Sequence, residues 1–131
     1  MTPFGIKIKQ LRKERNLTLK DQANFFKISQ SYVSSLENGN RGKPSTIYVD
    51  QICVWLNLIW DEAEELKYLA NFSQPKVTIS TKNLSSEATF FANLISQNID
   101  RLTNDHLLKL RKEINKFLEI DEKVFQKKSE E

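Results

Sequence analysis

The chain has 131 residues, 39% of them hydrophobic and 28% charged, enough apolar content for a small core and too much for disorder throughout. It has no run of about 18 apolar residues, which excludes a membrane-spanning helix. One Cys and one His exclude an internal disulfide and a zinc site of Cys/His type.

The start, MTPFGIKIKQLRKER, lacks a continuous apolar stretch, so no secretory signal is expected. Together with the lone Cys53 among apolar neighbours, this points to a reducing cytoplasm. The net charge of +3 is unevenly spread. Residues 1–58 hold nine Lys/Arg and four Asp/Glu, whereas residues 59–131 hold eleven and thirteen. A basic first half fits a polyanionic partner.

Thr2 and Pro3 signal a helix start, and Phe4, Ile8 and Leu11 recur at helical spacing, which predicts a first helix over 3–15. Thr18 is the cap of a second helix over 19–27, with Asp21 in the capping-box position and Ala23 and Phe26 inward. Ile28 makes a tight turn, and Ser29 caps a third helix that Gly39 stops. Of that helix only Val33 and Leu36 are inward. Gln30, Ser31, Tyr32, Ser34 and Ser35 form an uncharged face of amides and hydroxyls. Such a face suits the donor and acceptor pattern of base-pair edges. It also suits a short helix turned to water, and the residues alone leave both readings open.

Asn40-Arg41-Gly42-Lys43-Pro44 reads as a basic turn. Ser45 caps a fourth helix over 46–57, apolar on most sides through Ile47, Val49, Ile52, Val54, Trp55 and Leu56, as a helix buried against several others is. Asp61 is the expected cap of a fifth helix over 61–72, with Leu66, Leu69 and Ala70 inward. Gln74-Pro75 then breaks the pattern, so residues 1–72 and 73–131 are expected to be separate regions.

In the second region, β-branched alternation predicts a short strand over 76–81, pairing with its own copy across a dimer axis. Two amphipathic helices follow. One spans 86–99, capped by Ser85, with Phe91, Leu94, Ile95 and Ile99 on one side. The other spans 104–120, capped by Thr103, with Leu107, Leu110, Ile114 and Phe117. They form either a dimerisation unit or a cover over the first five helices. Residues 121–131 are charged and expected to fray.

The first 58 residues resemble the Cro/CI-type (XRE-like) helix-turn-helix regulators of bacteria and phages. The resemblance rests on Arg12, Leu17 and Thr18 at the first turn, Ala23 in the second helix, and Ser29, Val33, Ser34, Leu36, Glu37 and Gly39 in the third. It implies an all-α, five-helix lambda-repressor-like domain followed by the C-terminal extension, and a third helix that enters the DNA major groove. On that resemblance Gln30, Ser31, Tyr32, Ser34 and Ser35 read bases. Thr18, Lys20, Lys27, Asn38, Asn40, Arg41 and Lys43 meet phosphates. Glu37 is structural, paired to Arg12. Two residues depart from the family. Gln22 stands where a leucine is common, and its amide is expected to reach solvent. Lys27 stands where a glycine is common, and must adopt a left-handed backbone unless the turn differs.

The function expected is a sequence-specific, DNA-binding transcriptional regulator acting as a homodimer on double-stranded DNA, with no cofactor. The alternative is an adaptor whose C-terminal helices hold a protein partner such as a toxin or polymerase subunit. Catalysis is not expected. His106 and Asp105 have no nucleophile, metal set or phosphate loop with them.

Overall fold

The computed structural model describes residues 1–122. The frayed tail expected over 121–131 lies, from residue 123 onward, outside the described residues. Within them the fold is all-α, in two compact units, Met1–Val77 and a second that begins at Thr78.

The first unit holds α1 (Pro3–Glu14), α2 (Leu19–Phe26), α3 (Gln30–Glu37), α4 (Thr46–Trp55) and α5 (Trp60–Asn71). Their starts are set by local chemistry. Thr2, Thr18, Ser29 and Ser45 each accept a backbone N–H of the first turn that has no partner within its helix. Thr18 and Asp21 complete a reciprocal capping box. The Asp61 expectation is corrected. The fifth helix starts at Trp60, with Ile59 at its N-cap and no side-chain cap bond. Asp61 and Glu62 lie in its first turn, where the helix dipole favours acids.

Phe4, Ile8 and Leu11 of α1 pack with Val49, Ile52 and Cys53 of α4, its C-cap Leu56, and Leu66 and Ala70 of α5. Leu17, Phe26, Tyr48 and Trp55 flank this core. Cys53 is a buried free thiol. The helix-four expectation holds on one side only. Ile47 and Val54 are 71% and 78% exposed, and with Phe25 and Phe26 they line a shallow groove of about 500 Å³. The helix buries Val49, Ile52 and Cys53 toward α1 and α5 and leaves its opposite side open.

The second unit consists of α6 (Ser86–Asn98), a 3₁₀ turn (Ile99–Arg101) and α7 (Asn104–Leu118). Ser85 and Thr103 cap the helices as their sequence predicts. His106 completes a capping box by accepting the Thr103 N–H at Nδ1. No described residue of this unit is buried. Phe91, Leu94, Leu110, Ile114 and Phe117 are all at least 38% exposed. Glu122 is held by Arg111, whose Nε and Nη2 donate at 2.9 and 2.7 Å, so the chain is still anchored there.

The strand expected over 76–81 is absent, and no β-strand occurs among the described residues. A lone β-prone run finds no second strand among the described residues to complete its ladder.

Candidate nucleic-acid interface

The site is built on α2 and α3 and the turn between them. Lys27 ends α2 at φ 56° and ψ 44°, in the left-handed region. Its N–H returns to the carbonyls at the end of α2, and the Ile28 N–H donates to Ala23 O at 3.0 Å. A lysine therefore performs the reversal that glycine makes more easily. The turn brings α3 across α2, with Val33 fully buried beneath it.

The orientation of α3 is fixed at its far end. The Glu37 carboxylate pairs with the Arg12 guanidinium, both nearly fully buried. Arg12 Nη1 also donates to Gln22 Oε1 at 2.7 Å, and Gln22 Nε2 donates to the Tyr48 hydroxyl at 2.8 Å. One polar chain thus ties α1, α2, α3 and α4. Burial pushes the Tyr48 phenol up to about 12, and nearby Glu37 adds to that rise. The expectation for Gln22 is corrected. Its amide does not reach solvent: it is 0% exposed and bonded at both ends. Among the described residues no buried side-chain polar atom lacks a partner.

The Glu37 carbonyl is gripped as well. Thr2 donates to it from N at 3.2 Å and from Oγ1 at 3.0 Å. Gly5 allows this close approach, since a Cβ there would lie 2.1 Å from Glu37 O.

With its C-terminal end clamped, α3 presents its first turn outward. Gln30, Ser31 and Tyr32 are exposed. Ser31 Oγ lies 3.2 Å from Ser29 Oγ. Ser34 and Ser35 are half-buried and already engaged. Ser35 donates to Tyr32 O at 2.8 Å, and Ser34 accepts from Asn38 Nδ2 at 3.4 Å. The exposed uncharged face is thus concentrated in the first turn of α3.

Cationic and polar residues flank it. Thr18 and Lys20 sit at the start of α2, with Lys27 at its end, all exposed. Asn38, Asn40 and Arg41 follow α3 on the surface. The Arg41 guanidinium stacks over the Tyr32 ring at 4.8 Å, a cation–π contact that joins the turn to α3. Lys43 is engaged instead: its N–H donates to Gln74 Oε1 at 2.9 Å and its Nζ to Asn71 Oδ1 at 3.2 Å. Tyr48, Asn71 and Gln74 are contributors that patterning missed, and Gln22 is one that it placed at the surface. A buried Gln beside the inward Ala23 was the one readable sign.

Among the described residues no cluster of His, Cys, Asp and Glu could hold a metal, and no helix is long and apolar enough to cross a membrane.

A short helix packed across another through a left-handed turn, with its first turn exposed and its last turn clamped, defines a helix-turn-helix domain. Residues 8–57 match the helix-turn-helix family model HTH_3. Two curated proteins of Bacillus subtilis (strain 168) are similar to it. One is named "Uncharacterized HTH-type transcriptional regulator RghRB", 33% identical over 61 residues, which cover 47% of this chain and 44% of that protein. The other is named "HTH-type transcriptional repressor RghR", 32% identical over 72 residues, 55% of this chain and 51% of that protein. The chain spans about half the length of the curated relatives it matches. No solved structure matches it.

Proposed function

We propose that the chain is a sequence-specific DNA-binding transcriptional regulator, acting in the cytoplasm as a homodimer on a two-fold related operator. The observation that carries this reading is the exposed, uncharged first turn of α3, held rigid behind by the Arg12–Glu37 pair and flanked by cations. Gln30 would read an adenine through its amide, with Ser31 and Tyr32 beside it. Thr18, Lys20, Lys27, Asn38, Asn40 and Arg41 would meet phosphates on either side. Ser34 and Ser35 contribute less, because their hydroxyls are already bonded. The family match and the regulator names of the two relatives support the same reading.

Dimerisation follows from the second unit. A helix pair that buries none of its described side chains, with Phe91, Leu94, Leu110, Ile114 and Phe117 exposed, gains most by packing against its own copy. Half-sites would then lie about 34 Å apart, one duplex turn. The same apolar faces favour the second reading, an adaptor that holds a different protein there.

Binding of the full chain to a labelled genomic duplex pool, titrated with salt, tests the proposal. A regulator retains bound fragments against excess mixed-sequence competitor at physiological salt. An adaptor shows only weak retention that collapses as salt rises.

A further inference from the structure

The turn that follows α3 is not held by α3 and α4 alone. Residues at the end of α5 and just beyond it reach back to it. Gln74 Oε1 accepts the Lys43 N–H at 2.9 Å, and Asn71 Oδ1 accepts the Lys43 ammonium at 3.2 Å. Gly39 turns at φ 80°, and a Cβ there would lie 3.1 Å from the Pro75 ring and 2.8 Å from Thr2 Cγ2. The returning segment is itself pinned. Ser73, 1% exposed, accepts the Phe4 N–H at 2.9 Å and donates to Leu69 O at 2.6 Å. The start of α1, the basic turn and the exit from α5 thus meet in one place.

We infer that Asn71 and Gln74 are positioning residues for the basic turn Asn40–Lys43, so that the grip on the phosphate backbone is completed by the segment joining the two units. Lys43 is then a strut, not a phosphate contact. Its two bonds fix one side of the turn, and the Tyr32 stack fixes Arg41 on the other. An unbraced turn of this length would lose backbone freedom on binding. A braced one meets phosphates already ordered. The inference rests on the DNA-binding reading above and adds a dependence on residues outside the matched segment 8–57.

The test uses the full chain and its Gln74→Ala and Asn71→Ala variants. Affinity for a labelled mixed-sequence duplex is measured across a salt series, with the thermal midpoint and the exchange rate of the Lys43 amide. Both variants are expected to bind about tenfold more weakly, with the salt slope reduced by about one. Gln74→Ala should also speed Lys43 amide exchange at an unchanged midpoint. Unchanged affinity and slope in both variants would overturn the inference. So would tighter binding by Asn71→Ala, the sign of a lysine merely released toward phosphate. A wild-type chain that binds no duplex would sink the function proposed above instead. Lys43 amide exchange would then decide whether the brace exists.

Discussion

Arg12 and Glu37 stand 25 residues apart and form a buried ion pair, 7% and 3% exposed, between the first and third helices. The charges are desolvated, so the pair adds less net stability than its geometry implies, and its main effect is to make one orientation of α3 far better than any other. Removing one partner strands the other. Arg12→Met should cost about 3–5 kcal/mol, read as a drop in the denaturant midpoint.

Gln22 carries the same logic one step outward. Gln22→Leu restores the residue type common in the family but takes the donor from the part-buried Tyr48 hydroxyl and the acceptor from buried Arg12 Nη1. A loss of about 1–3 kcal/mol is expected. The double variant Gln22→Leu with Tyr48→Phe removes both ends of the Gln22–Tyr48 bond and should recover part of the loss, the remainder being the bond from Arg12 Nη1 to Gln22 Oε1. A double-mutant cycle in chemical denaturation checks this. Purely additive losses would mean that the bond contributes nothing.

Gly5 permits a close approach of α1 to the end of α3. Any Cβ there would strike the Glu37 carbonyl, which belongs to backbone and cannot rotate away. Gly5→Ala should therefore destabilise, by about 1–3 kcal/mol or more, although alanine is the better helix former. Unfolding of the variant by heat and denaturant measures it. A variant as stable as the wild type would show that α1 and α3 are further apart than described.

Lys27 offers a prediction with opposite signs in two assays. Its left-handed backbone costs a non-glycine residue about 1 kcal/mol. Lys27→Gly should raise stability by up to that amount, less the extra freedom glycine gives the unfolded chain. It should also weaken DNA binding if the ammonium meets a phosphate. Parallel denaturation and anisotropy titrations separate the two effects.

Two groups set distinct pH limits. Thr18 lowers the Asp21 pKa below the ordinary 3.8, through its N–H first and its hydroxyl second. This contribution is present above that pH and is lost as acidification protonates the carboxylate. Asp21→Asn should thus be less stable than the wild type at neutral pH and equal to it in acid. Tyr48 behaves oppositely. The unfolded phenol ionises near 10, whereas the folded one holds its proton to about 12. Stability is full below pH 10 and falls as pH rises toward 12, a loss that Tyr48→Phe should remove. Unfolding midpoints across pH read both.

Much of this was legible in the sequence. Caps at Thr2, Thr18, Ser29, Ser45, Ser85 and Thr103 announced the helix starts, because a cap needs only its neighbours along the chain. The exposed first turn of α3 and the Arg12–Glu37 pair were legible through the family pattern. What escaped depended on partners distant in sequence. Whether Gln22 is wet or bonded is decided by Arg12 and Tyr48, which no local pattern brings together. The exposure of Ile47 and Val54 depends on how many neighbours α4 has, and the missing strand depends on a partner strand that no described residue supplies. The Lys43 brace links residues about thirty positions apart through two amides of ordinary appearance.

The central claim is that the first turn of α3 reads bases. Selection of bound duplexes from a random pool, run in parallel on the wild type and on Gln30→Ala, tests it most directly. The account predicts a two-fold related motif for the wild type and, for the variant, the same motif relaxed at one base pair per half-site, a loss of about 1–3 kcal/mol there. Identical motifs from both proteins, or no enrichment by the wild type, would contradict it.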